Sequence, residues 1–249
     1  YKSFETRKEE SLKNNKYRGI GISTYIEACG GGGPEYCSLK IGGNGNIEVK
    51  IGTQSNGQGH STSYAQIVSE VLEVNINEIN VIQGNSLEIP KGSGTGGSRS
   101  MPVGGNALYI ASKNFLENTI TSLAKHFKTT ANEIKYKSGL FQYKNKSVSL
   151  SGLTQLFDIN KNLEVSADWT PRAGTYTFPN GTHICELEID KYSGTIKIIK
   201  YTIVDDFGKV INPLLLEGQV HGGIAQGIGQ ALFEETIYDD ETGQLLNGS

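Results

Sequence analysis

The sequence predicts an α+β fold built from two related units, each a mixed or antiparallel sheet with helices packed on one face. Three observations predict it. Period-two and period-3.6 apolar patterns succeed each other along the chain. A strand, a polar loop and a helix follow in that order through residues 47–72, and again through 195–235. The length, 249 residues, suits one large domain or two closely packed smaller ones, with approximate sub-units 17–160 and 161–249.

The elements are expected in this order. Residues 2–15 read as a charged surface helix with Phe4 and Leu12 as weak anchors. Residues 17–28 read as a strand, because Ile20, Ile22, Thr24 and Ile26 alternate with small or polar residues. Residues 37–41 and 47–51 flank Gly42-Gly43-Asn44-Gly45-Asn46 and form the clearest hairpin signal. A loop over 52–60 leads to a helix over about 62–72. Ser63 and Gln66 have capping-box spacing at its start. Tyr64, Ile67, Val68, Val71 and Leu72 form its apolar stripe. A short strand over 79–83, an irregular loop over 84–100 and a long helix over about 102–127 follow. Pro102 suits the first helical turn, and Leu116, Ile120, Leu123 and Phe127 mark one face. Residues 129–133 suggest one helical turn, 140–143 and 147–150 a small hairpin, and 151–157 a short helix. Residues 163–180, with Pro171 and Pro179, read as an extended connector. Two strands, 183–190 and 195–205, a last helix over 214–235 and the start of a strand at 236–238 complete the reading.

Composition excludes several classes. Net charge is −3 with no basic block, so nucleic acid is not expected as a partner. No run of about 18 apolar residues exists to span a membrane, and no basic-then-apolar start marks a signal peptide. The chain starts at Tyr1 rather than Met and stops at Ser249, so it is expected to be a piece cut from something longer. Cys29, Cys37 and Cys185 lack CxxC spacing, which argues against a disulfide framework and against a zinc or iron–sulfur site. A reducing cytoplasm fits. His60, His126, His183 and His221 show no helix-face ligand spacing, so no protein-ligated metal is expected.

Glycine is the anomaly, at 32 residues, and it clusters in loops between apolar runs. Three segments carry candidate chemistry. The first is Gly57-Gln58-Gly59-His60-Ser61-Thr62 at a helix start, where unpaired N–H groups and the helix dipole favour an anion. An ordinary strand-to-helix turn explains it equally. The second is Gly92-Ser93-Gly94-Thr95-Gly96-Gly97-Ser98-Arg99-Ser100, ahead of the long helix. Its GxGxxG does not follow a strand directly, which weakens a dinucleotide-fold reading. Small residues, hydroxyls and a guanidinium beside a helix start make a better anion cradle, against the alternative of a solvated loop. The third runs from Asp205-Asp206 through Pro213 to Glu217-Gly218-Gln219-Val220-His221-Gly222-Gly223. Paired aspartates at a strand end suit metal or ribose contact, or simple turn chemistry. The helix behind them holds Gly218, Gly222, Gly223, Gly227 and Gly229, each costing roughly 1 kcal/mol against alanine. Propensity did not select them; close packing on another element or on a cofactor would.

Together the three segments resemble the molybdenum hydroxylase large subunits, the superfamily of xanthine dehydrogenase, aldehyde oxidase and aerobic carbon-monoxide dehydrogenase. Asn56-Gly57-Gln58-Gly59-His60-Ser61-Thr62 looks like that family's Gln-Gly-Gln-Gly-His segment. Gly94 through Val103 resembles the glycine–serine–arginine loop of the carbon-monoxide dehydrogenase branch, and Asp205–Pro213 with Glu217–Gly223 its strand-to-helix segment. The order and separations agree, over the whole chain beyond Tyr17. Asn56, Phe207 and Lys209 depart from the usual glutamine, cysteine and threonine.

The resemblance implies a molybdenum pyranopterin cofactor, as the cytosine dinucleotide in bacteria. It implies a parent oxidoreductase that hydroxylates or oxidises an aldehyde, a heteroaromatic ring or a small carbonyl compound using water. Electrons would pass to iron–sulfur and FAD-bearing flavin domains or subunits within an oligomer. By position, Gln58, Gly59 and His60 would lie by the pterin or dithiolene. Gly97, Ser98, Arg99 and Ser100 would hold the pterin–pyrophosphate, and Asp205, Asp206 and Gln219 would line the dinucleotide end. The family's glutamate base would lie beyond Ser249 and its substrate loop before Tyr1, so no catalytic residue is expected here. The isolated stretch is expected to be inactive and need not retain the cofactor. Competing readings are a carbon-monoxide dehydrogenase homologue of unknown substrate, a nicotinamide-binding dehydrogenase using Gly92–Gly97, a degenerate paralogue without cofactor, and a non-catalytic module whose glycine-rich helix packs on a partner.

Overall fold

The alternating strand over 47–51 nucleates the best-packed part of the molecule. In the computed structural model, which describes residues 1–31, 33–42, 44–157, 164–169 (backbone) and 176–248, this strand is β3 (Ile47–Ile51). Ile47, Val49 and Ile51 point inward and are essentially inaccessible to water. Glu48 and Lys50 point outward and pair with Lys40 and Glu88, each at 3.1 Å. β2 (Glu35–Ile41) pairs antiparallel with β3, Cys37 opposite Ile51 and Ile41 opposite Ile47. β4 (Ile79–Ile82) adds in parallel on the other side, and β8 (Glu164–Trp169) adds antiparallel to β2. The order β4-β3-β2-β8 makes a mixed sheet.

Two helices cover this sheet, α2 (His60–Leu72) and α3 (Asn106–Phe127). Tyr64, Val68 and Leu72 of α2 meet Leu108, Ala111, Phe115 and Leu123 of α3 over Leu39, Val49 and Ile51. Burying each large side chain contributes about 1.5–3 kcal/mol, so this layer is the principal source of stability. A small antiparallel sheet, β5 (Lys135–Lys137), β6 (Leu140–Tyr143) and β7 (Lys146–Ser149), and the short helix α4 (Leu153–Leu156) close one end. Phe141, Leu150 and Leu153 join the same core.

The second sheet is antiparallel throughout, in the order β1 (Lys16–Ile26), β9 (Asn180–Asp190), β10 (Ile196–Asp206). Helix α1 (Phe4–Lys13) packs on β1. Ion pairs tie both to β9: Arg18 bridges Glu186 and Glu188, Arg7 reaches Glu186 at 2.7 Å, and Lys16 reaches Glu188 at 3.1 Å. The last helix, α5 (Pro213–Leu232), buries no residue.

The α+β reading holds: among the described residues there is one mixed sheet and two antiparallel ones. Strand pairing crosses the 160/161 division: β1 joins β9, and β8 joins β2. Several local expectations are corrected. α2 begins at His60, two residues early, because Gly59 (φ 74°) rather than a capping side chain ends the loop. The long helix is preceded by a wide π-type turn, Ser100–Gly105, that contains Pro102. The capping box forms at Thr130 and Glu133 instead. β5 is an additional strand, and residues 236–238 form only an isolated bridge, Tyr238 to Leu245. Of the expected connector over 163–180, residues 163 and 170–175 lie outside the described residues, 164–169 form β8 and Asn180 opens β9.

Candidate functional site

The first glycine loop reaches α2 through two left-handed residues, Gly57 (φ 103°) and Gly59 (φ 74°). Residues with a Cβ rarely adopt this conformation. An added Cβ at Gly59 would also fall 2.6 Å from Leu215 Cδ2, so the start of α5 is seated on this loop. Asn212 fixes that junction: its Nδ2 donates to Gln66 Oε1 at 2.9 Å, and its Oδ1 caps α5 by accepting from the Leu215 amide. Gln58 turns back on the loop, its Oε1 accepting from the Asn56 amide. His60 is buried against Tyr64, ring centroids 5.3 Å apart, and its Nδ1 has no hydrogen-bond partner. Burial pushes the imidazole pKa down, only partly opposed by the Gln54 backbone, so the ring is neutral near pH 7. An orphaned buried nitrogen costs about 1–3 kcal/mol.

The second loop lies directly beside the first. Thr95 Oγ1 donates to the Gln54 carbonyl at 2.6 Å and accepts from its amide at 3.2 Å. Tyr64 OH contacts Thr53 Oγ1 at 2.8 Å and donates to the Ser100 carbonyl at 3.1 Å. Gly94, Gly96 and Gly97 have no atom within 4 Å of where a Cβ would stand, so the outer side of the loop is an open cradle. Gly97 and Ser98 are consecutive left-handed residues, and Ser98 is exposed. Arg99 is not the free guanidinium that the sequence suggests. It is buried and donates to Glu35 and to the carbonyls of Gly94 (2.9 Å), Pro34 (3.0 Å) and Gly33 (3.1 Å).

The third segment divides. Asp205, at the end of β10, faces Tyr25 and His183, with His183 Nε2 at 3.5 Å from its Oδ1 and His183 Nδ1 at 3.0 Å from Tyr201 OH. It lines a hollow of about 340 Å³ together with Gln219, Leu216 and Gly223 of α5. Asp206 is turned away: its Oδ1 accepts from the Gly208 amide and holds the turn. Gly218, Gly222, Gly223 and Gly227 meet nothing within 4 Å, so their small size serves no contact among the described residues. A larger hollow of about 630 Å³ lies at Gly45, Ser149 and Ser151, away from all three segments.

The structure thus joins the first two loops tightly and links the third through Leu215. Glu35, Thr53, Tyr25 and His183 were not legible as site residues, because none lies within the three glycine-bearing segments. Among the described residues, no three of His, Cys, Asp and Glu converge, and no helix is long and apolar enough to cross a membrane.

Comparison with known proteins gives a consistent result. The family model for the molybdopterin cofactor-binding domain matches residues 1–249. The chain is 30% identical to the nicotine 6-hydroxylase large subunit of Paenarthrobacter nicotinovorans, over 96% of this chain and 32% of that protein. It is 30% identical to the carbon monoxide dehydrogenase large chain of Afipia carboxidovorans, over 97% of this chain and 32% of that protein. Among solved structures, quinoline 2-oxidoreductase from Pseudomonas putida 86 matches with TM-score 0.86 at 28% identity, covering 100% of this chain and 34% of the other. The chain spans about a third of the length of these relatives.

Proposed function

The chain belongs to the molybdopterin cofactor-binding domain family, and from that premise we propose that its first two glycine loops form the cradle for the pterin and phosphate of a molybdenum cofactor. The observation that carries this reading is a paired one. His60 Nδ1 is buried without a partner, and the neighbouring loop, joined to the first through Thr95 and Gln54, has open space at Gly94, Gly96 and Gly97. When bound, the cofactor supplies two-electron redox chemistry at molybdenum. The chain's own residues bind and orient it. Gln58 and the backbone at Gly59 lie with neutral His60 at the pterin end. The amides of Gly97 and Ser98, with the Ser98 and Ser100 hydroxyls, serve the phosphate, because backbone N–H groups of successive turn residues concentrate positive potential. Arg99 supports that loop from behind. Asp205 and Gln219 line the far hollow, which suits the base of a cytosine dinucleotide form. Asp206 acts on the turn.

The parent would be an oxidoreductase hydroxylating or oxidising an aldehyde, a heteroaromatic ring or a small carbonyl compound, with iron–sulfur and flavin partners and a cytoplasmic setting. The names of the relatives, which refer to nicotine, quinoline and carbon monoxide, support that range. No group within this chain is assigned the chemical step.

Gly96→Leu tests the reading. Gly96 is not in a left-handed conformation and has open space at its Cβ, so leucine is accommodated by the fold and fills only the cradle. In the full-length parent, molybdenum and released pterin should fall to background while the melting temperature stays at that of the cofactor-free wild type. Wild-type molybdenum content in that variant contradicts the assignment.

A further inference from the structure

The second loop is closed from behind by one carboxylate. Glu35 opens β2 and is fully buried. Its Oε1 accepts from the Ser93 amide at 3.4 Å, where the loop enters, and from the Tyr36 amide at 3.2 Å. Its Oε2 accepts from Arg99 Nη1, where the loop leaves. One side chain therefore grips both ends of residues 93–99. Gly52 makes room for it: an added Cβ there would run into Glu35 Oε1 and into the Gly92 backbone. The outward side of the same loop is bare at Gly94, Gly96 and Gly97. The inner face is fixed and the outer face is open.

A buried ion pair is a weak source of stability, since apolar pairs of similar volume serve as well or better. Its use here is geometric. Both terminal nitrogens of Arg99 are spent on Glu35 and three carbonyls, and its Nε is buried without a partner, so the guanidinium is not presented outward to an anion. What remains is the shape of the loop, and pre-organised donors bind better than mobile ones.

Resting on the cradle reading above, we infer that Glu35 is a positioning residue for the cofactor. Acting through Arg99 and the Ser93 amide, it holds residues 93–99 so that the amides of 96–98 and the Ser98 hydroxyl meet the anionic part of the cofactor in one geometry. Glu35 touches no ligand itself.

The test uses the full-length parent with its partners. Three variants are needed: Glu35→Gln, which keeps shape and removes charge; Glu35→Gln/Arg99→Met, which leaves no unpaired buried charge; and Glu35→Asp. The readouts are molybdenum per polypeptide, the rate of molybdenum loss on prolonged dialysis, and the melting temperature. Loss of a supporting partner behind a metal site typically weakens retention 10–100-fold. Glu35→Gln and the double variant should therefore lose molybdenum at least about tenfold faster than wild type when dialysed well below the melting temperature of each. Glu35→Asp should recover part of the retention. If Glu35→Gln fails to fold, the double variant decides. A double variant that folds and keeps its molybdenum at the wild-type rate overturns the inference. So does a loss that merely tracks melting temperature and is not rescued by aspartate. If the wild-type parent carries no molybdopterin, both readings fall; if it is loaded and the variants match it, this one falls alone.

Discussion

Tyr64→Phe measures how firmly the two glycine loops are tied to the core. Tyr64 is inaccessible to water, and its hydroxyl contacts Thr53 Oγ1 at 2.8 Å and the Ser100 carbonyl at 3.1 Å. Burial pushes its pKa up to about 12, so the phenol stays protonated and remains a donor. Phenylalanine keeps the ring packing and removes only the hydroxyl. Thr53 Oγ1 retains Gln83 Nε2 at 3.2 Å, so its loss is partial. The Ser100 carbonyl loses its link to α2. Leaving one or two buried groups short of a partner costs about 1–3 kcal/mol. A central value of about 2 kcal/mol lowers the melting temperature by roughly 4–8 °C in a chain of this size. Urea denaturation of wild type and variant gives the free-energy difference directly. The m-value should not change, because the exposed surface on unfolding is the same. A difference below about 0.5 kcal/mol, the range typical of a neutral surface change, would refute the idea that this hydroxyl clamps the loops.

Two further outcomes follow from the second sheet and the last helix. The carboxyls of Glu186 and Glu188 are held down to about 2, chiefly by hydrogen bonds from Arg7 and Ser11 respectively, with Arg18 assisting both. Their folded pKa lies below the ordinary value of 4.5, so they stabilise the fold above pH 4.5 and that contribution is lost as pH falls from 4.5 towards 2. Hydrogen exchange should show α1 and β1 opening across that interval, and Arg7→Ala should weaken the pH dependence; an acid transition of undiminished steepness in Arg7→Ala would contradict it. Gly222 sits mid-helix with open space at its Cβ, so Gly222→Ala should stabilise α5 by roughly 1 kcal/mol in this chain, read as slower amide exchange. Faster exchange would mean that a close contact occupies that face.

The hairpin β2–β3 was legible because alternation and a glycine–asparagine turn are local signals. The apolar stripe of α2 was legible for the same reason. β8 was not: Glu-Val-Ser-Ala-Asp-Trp carries little strand pattern, and its place is set by pairing with β2 more than a hundred residues earlier. β1 likewise finds β9 across the length of the chain. Within the candidate site, the motifs marked loops that the structure brings together, but they did not show the partner of Arg99. A guanidinium beside serines and glycines suggests an anion, yet the nearest buried anion belongs to the protein. Glu35 stands 64 positions away, and nothing in its surroundings announces the pairing. The glycines of α5 show the reverse case. Their composition predicted a close contact, and the described residues leave them open.

The cradle assignment is tested most directly by comparing amide hydrogen exchange in the parent protein made with and without its molybdenum cofactor. Loading should slow exchange at residues 57–61 and 96–98 and leave the hairpin β6–β7 and helix α4 unchanged. Protection that falls elsewhere, or no protection in either loop, would contradict the account.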